Sequence, residues 1–226
     1  MPMFKLYSFS SPQESAKALA IEIATQIRRI LSVKERTGLA LSGGKSPIVF
    51  LQELSQMPLE WGKCRISLVD ERVLPLTDPE NNALLMHMYF LQNKAQVAPF
   101  APLVLDASVG TEELLKHAMA SYIQPDLAVL GMGKDGHTAS LFACAPEYEN
   151  ALKSQEPIIA TTPTSAPFKR LSMSLNALES CQMLYLLISG DQKKAVFERA
   201  CLALEPSLPI SYILHSQKVV CHVYCA

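Results

Sequence analysis

The residues able to do chemistry are gathered in a few short stretches, and the most informative is LGMGKDGHTASLF, residues 130–142. Three glycines, Asp135 and His137 follow directly on the apolar run DLAVL. A histidine held in such a turn can serve as a general base, because imidazole has an ordinary pKa of roughly 6.5 and is largely neutral near pH 7. Either Asp70 or Asp135 could orient its ring or stabilise the imidazolium it becomes. Ser42-Gly43-Gly44-Lys45 offers backbone N–H groups to an oxyanion, and Lys45, Arg72, Arg170 and Lys193 could bring positive charge to the same place. That combination describes a phosphate site beside a proton acceptor. It is not a nucleotide P-loop, since the GxxxxGK[ST] spacing is absent. Gly131 to Gly136 has GxGxxG spacing but lacks the first βαβ unit and following acid of a dinucleotide fold. Taken singly, Gly43-Gly44 reads as a turn, Asp70-Glu71-Arg72 as an exposed charged loop and Lys134 as a solvated side chain; their coincidence at strand ends points to function.

The elements that must position these residues are legible in the periodicity. Ser11-Pro12-Gln13-Glu14 joins a hydroxyl N-cap, a proline suited to the first helical position and a glutamate three residues after the serine, so a helix starts there. Ala16, Leu19, Ala20, Ile23, Ile27, Ile30 and Leu31 carry it toward KERTG near residue 38. GLALS reads as a buried strand entering the Gly43-Gly44 turn, and Ser46-Pro47 opens a helix through about Met57. RISLV (65–69), DLAVL (126–130) and MLYLLI (183–188) read as strands; NNALLMHMYFLQ (81–92), TEELLKHAMASYI (111–123) and the stretch from Asp191 read as helices. Residues 143–168 form a less regular connection with one strand at PIIATT. Alternating strands and helices imply an α/β domain, a mostly parallel sheet with helices on both faces. Ligands of such sheets bind outside the carboxyl ends of the strands. Four of the polar clusters follow strands, so four strand ends should converge on one crevice.

Composition removes several classes of function. The 226 residues carry 20 basic and 21 acidic side chains, a net charge of -1, which argues against a nucleic-acid surface. Short, broken apolar runs fall well below the roughly 18 residues of a membrane span. MPMFKLYSFSSPQES lacks the pattern of a secretory signal, so a cytoplasmic protein is expected. Six scattered cysteines without a CxxC pair fit reduced thiols. Cys221, His222 and Cys225 would face opposite sides of a strand, so no metal is assigned to them. No repeat or domain boundary is visible, and residues 1–226 read as one domain.

LSGGKSP (41–47), DERVLP (70–75), Asn82 of NNALL, LGMGKDGHTASLF, PFKRLSMSL with Arg170, and GDQK (190–193) resemble, in order, the motifs of the 6-phosphogluconolactonase family over roughly residues 10–200. The resemblance implies a Rossmann-like fold of the sugar-phosphate isomerase/deaminase type, with no metal or nucleotide cofactor. It further implies hydrolysis of a phosphorylated sugar lactone; a monomer or small homo-oligomer is expected. His137 would be the base, and Arg72 would neutralise charge on substrate or intermediate. Arg170, Lys193 and the Gly43-Gly44 amides would grip the phosphate. The similar glucosamine-6-phosphate deaminases have DEY where this chain has Asp70-Glu71-Arg72, and a glutamate where it has Phe142. A deaminase-like isomerase and a non-catalytic sugar-phosphate sensor remain the alternatives. Two features depart from the family pattern: Lys45 stands where Ser or Thr is common, and the tail VVCHVYCA lacks its usual Trp and Asp. That tail is expected to form a core strand without a functional role.

Overall fold

The structure, a computed structural model, describes residues 4–226, so the first three residues of the N-terminal segment considered above lie outside it. The first half runs β1 (Phe4–Ser8), α1 (Pro12–Leu31), β2 (Thr37–Leu41), α2 (Ile48–Ser55), β3 (Cys64–Leu68), β4 (Asp70–Arg72), α3 (Asn82–Tyr89), α4 (Thr111–Ser121) and β5 (Leu127–Leu130). The second runs α5 (Tyr148–Lys153), β6 (Ile158–Thr161), β7 (Arg170–Met173), α6 (Leu175–Glu179), β8 (Met183–Ile188), α7 (Asp191–Leu202), α8 (Ile210–Leu214) and β9 (Cys221–Cys225).

Helix α1 forms where the sequence signals it. Ser11 Oγ accepts the Glu14 N–H at 3.2 Å, while the Glu14 carboxylate reaches Ser10, one residue before the position a capping box would use. Leu19, Ile23 and Ile27 line its buried stripe. The helix ends at Leu31, short of the KERTG exit, and the chain turns directly into β2.

Six strands pair in parallel in the order β1-β9-β8-β5-β2-β3. The C-terminal strand β9 lies inside this sheet between β1 and β8, which accounts for the buried Cys221 and Cys225. The exposed strand β1 was not signalled by a strong apolar run. From β2 the chain moves to β3 on one side, whereas from β5 it moves to β8 on the other. Right-handed crossovers put helices reached in opposite directions on opposite faces, and the two loops leaving β2 and β5 diverge. A crevice opens at this switch point.

A second, antiparallel sheet, ordered β4-β7-β6, stands beside the parallel one. Asp70-Glu71-Arg72 is a strand rather than a charged loop, and PIIATT joins this small sheet instead of the large one. Asp70 pairs with Ser172 and Arg72 with Arg170, so the small sheet carries these charged residues across the mouth of the crevice. Among the described residues, no helix is long and apolar enough to cross a membrane.

Candidate active site

The crevice is a cavity of about 250 Å³ at the carboxyl ends of β2 and β5. Ser42 closes its floor: its hydroxyl donates to the Val129 carbonyl at 2.9 Å and accepts the Gly131 N–H at 3.1 Å, tying the two strand ends together. Ser42 therefore lines the cavity while its hydroxyl is used by the scaffold. Lys45, Arg72, Arg170 and Lys193 line the cavity against the single carboxylate of Asp70. An anion is the ligand such a balance favours.

His137 lines the same cavity, and its Nδ1 lies 2.6 Å from Asp135 Oδ1. Burial would push the Asp135 carboxyl up, but the hydrogen bond from His137, its charge and the backbone amide of His137 outweigh it and hold Asp135 below the usual carboxylate range. An ionised carboxylate has no proton to give, so Nδ1 is the donor in this contact and Nε2 is the nitrogen left for proton transfer. Of the two candidate orienting groups, then, Asp135 meets the imidazole and Asp70 does not. Asp70 Oδ2 accepts the Ser140 hydroxyl at 2.6 Å and lies 4.0 Å from Arg170.

The loop holding His137 is tightly wound. A Cβ on Gly133 would sit 2.2 Å from His137 Nδ1 and 2.4 Å from Asp135 Oδ1, so only glycine lets the backbone pass behind this pair. Ala139 has φ 48°, a left-handed conformation that costs an L-residue about 1–2 kcal/mol. Thr138 steadies the loop by donating to the Gly131 carbonyl at 2.9 Å. The Phe142 ring stacks on the imidazole with centroids 4.0 Å apart, and the Arg170 guanidinium sits 5.0 Å from the centre of the same ring.

At the Gly43 side, the backbone N–H groups of Gly43, Gly44, Lys45 and Ser46 donate to no acceptor among the described residues. Lys193, near the start of α7, donates to Ser46 Oγ at 3.3 Å. Burial, and then the charge of Lys134, hold Lys193 below the usual lysine range, which an incoming anion would reverse. Arg170 is only 7% exposed, and its Nε has no partner among the described residues. Arg72 is drawn aside to the carbonyl and carboxylate of Glu80, and Lys45 is exposed at the rim.

Two supporting residues, Glu71 and Asn82, stood in motifs that the sequence reading named without giving either a role of its own. Alternation along β4 points Asp70 and Arg72 toward the cavity and Glu71 away from it, where Glu71 is fully buried and accepts the N–H groups of Arg72, Asn82 and Ala83. Burial pushes its carboxyl up to about 7 against the pull of those three bonds. Glu71 thereby anchors the start of α3 and with it Asn82, whose Nδ2 donates to the Asp70 carbonyl at 3.0 Å. Asn82 Oδ1 is buried at the cavity wall without a partner among the described residues, and a Cβ on Gly43 would meet it at 1.9 Å. The period-two pattern of DER would have revealed Glu71 had the stretch been read as a strand. Elsewhere, His222 is taken up by packing against Tyr7 and Tyr185, and among the described residues no group of three or more His, Cys, Asp or Glu could hold a metal.

Residues 10–221 match the family described as glucosamine-6-phosphate isomerases/6-phosphogluconolactonase. The chain belongs to this family. Within it, a 6-phosphogluconolactonase of Helicobacter pylori strain J99 is 46% identical over 225 residues, spanning 99% of this chain and 98% of that protein. A 6-phosphogluconolactonase of Neisseria meningitidis serogroup A is 39% identical over 230 residues, covering 99% of this chain and 100% of the other. The crystal structure of a Shewanella baltica OS155 6-phosphogluconolactonase superposes with a TM-score of 0.91 at 32% identity, covering both chains completely. The family match begins after β1 and ends at the first residue of β9, so it contains every residue described around the cavity.

Proposed function

We propose that this chain hydrolyses 6-phospho-D-glucono-1,5-lactone to 6-phospho-D-gluconate in the oxidative pentose phosphate pathway. The observation that carries the reading is the hydrogen-bonded His137–Asp135 pair on the wall of a cavity lined by four cationic side chains.

A lactone carbonyl is already electrophilic, so activated water is nucleophile enough and no covalent intermediate is required. In the proposed mechanism His137 Nε2 takes a proton from water as the oxygen attacks C1. Asp135 stabilises the imidazolium through the Nδ1 hydrogen bond. The tetrahedral intermediate then expels the ring oxygen, which recovers the proton from Nε2 as an alcohol, and the carboxylic acid formed releases the water's second proton to solvent to become a carboxylate. Arg170, Lys193 and the free N–H groups beginning at Gly43 hold the remote phosphate, and binding there positions the carbonyl for attack. Arg72, within reach on β4, offsets charge on the substrate or intermediate. Lys45 contributes to the field at the rim. Asp70, tied to Ser140 and Arg170, fixes the guanidinium rather than the imidazole. A cytoplasmic location suits this reading, and the six cysteines are all free thiols.

A pH-stat assay with freshly made lactone, run beside an ammonia-release assay with glucosamine 6-phosphate, tests the proposal. Acid release from the lactone above its spontaneous rate, without ammonia release, is the expected result. Phe142 places no carboxylate beside His137 to assist opening of a sugar ring. Ammonia release at a rate rivalling the lactone would overturn the assignment, and silence in both assays would favour a sensor.

A further inference from the structure

We infer that Phe142 is a positioning residue for the reaction, the aromatic plate that fixes the plane of the His137 imidazole and ties it to the Arg170 guanidinium. The inference rests on the proposal that His137 is the base.

Asp135 alone cannot fix the ring. Its hydrogen bond holds one atom, Nδ1, and leaves the imidazole free to swing about that contact, while the Asp135 side chain is itself 50% exposed. The direction of Nε2 into the cavity needs a second restraint. Phe142 supplies it, lying against the imidazole with 4.0 Å between centroids and 22° between planes, the closest and among the flattest of the ring contacts in the structure. The plate is buried where the base is partly open to solvent: Phe142 is 2% exposed, whereas the His137 side chain is 29% exposed.

The stack extends beyond the base. The Arg170 guanidinium lies 5.0 Å from the Phe142 centroid, within the range of a cation–π contact. Arg170 is held in turn by the Pro167 carbonyl at 3.3 Å and by Asp70. One ring thus touches both the proton acceptor and the cation assigned to the phosphate, so a single buried side chain links their positions. The ring face also presents negative quadrupole to the imidazolium formed when His137 takes its proton.

The test combines a parent measurement with a double-mutant cycle. In the parent protein, nuclear Overhauser contacts should join the His137 ring protons, assigned by their loss in His137→Asn, to the Phe142 ring; their absence overturns the inference whatever the variants do. Phe142→Leu should lower kcat about 10- to 100-fold, the scale of a small misplacement of a reacting group, with KM changed far less. In the His137→Asn background the same substitution should cost nothing further in kcat, because a residue acting on that step through the base has no effect on it once the base is gone. An equal loss in both backgrounds, or a kcat for Phe142→Leu near that of the parent, would refute the role. Phe142→Met replaces Phe142→Leu if the latter does not fold, and the parent contacts decide if neither folds. A His137→Asn variant as fast as the parent would instead refute the assignment of the base, a separate outcome.

Discussion

Replacing Asp135 by asparagine tests the pair at the centre of the site. Asp135→Asn keeps the size of the side chain and one oxygen acceptor for Nδ1–H, but removes the charge that faces the imidazolium. A hydrogen bond to a charged group contributes about 1.5–3 kcal/mol. The Asp135 side chain is 50% exposed, so solvent screening reduces that figure to about 1–2 kcal/mol. If this stabilisation is expressed in the transition state, kcat falls by about 5- to 30-fold. Initial rates of lactone hydrolysis, corrected for the spontaneous reaction, measure the loss. A kcat within twofold of the parent would show that Asp135 does not support the base.

Three further outcomes follow from other parts of the site. Arg170→Ala should lower kcat/KM about 10- to 150-fold on the phosphorylated lactone and far less on the same lactone without phosphate; equal proportional losses would remove Arg170 from the phosphate end. Gly133→Ala introduces a Cβ 2.2 Å from His137 Nδ1, and kcat should drop by at least about 100-fold from displacement of the base, measured on variant protein shown to be folded by its melting transition. Glu71 has its folded-state pKa raised to about 7, so the buried carboxyl favours the folded state when protonated. Its contribution should be full below the ordinary glutamate value and lost as pH rises through about 7, so the parent melting temperature should carry a decline across that window that Glu71→Gln removes.

The sequence exposed most of this arrangement because the strongest signals are local. Strand ends followed by glycine and charge located Gly43, Gly44, His137 and Lys193, and the parallel-sheet rule brought them to one crevice. What stayed hidden depends on contacts distant in the chain. Asp70 and Asp135 were equivalent as carboxylates near a motif, and only the 2.6 Å contact within the turn separates them. Strands β4 and β7 are three and four residues long, too short for a periodic pattern to outweigh the polar look of DER and RLSM. Glu71 and Asn82 meet because β4 and α3 pack together, across a separation that no spacing rule reports. Strand β1 leaves four of its five residues exposed, so it lacks the buried run that marked the other strands. Nothing in the local spacing gave the partners of the Ser42 hydroxyl, since a hydroxyl at a strand end can serve the neighbouring strand as readily as a ligand.

The most direct measurement is the rate of 6-phospho-D-glucono-1,5-lactone hydrolysis by His137→Asn, taken with its melting temperature. Asparagine keeps a polar side chain of similar reach but cannot accept a proton from water near neutral pH. With His137 as the base, kcat falls by roughly 10²- to 10⁴-fold while KM and the melting temperature stay near those of the parent. A folded His137→Asn protein that hydrolyses the lactone at close to the parent rate contradicts the mechanism at its root.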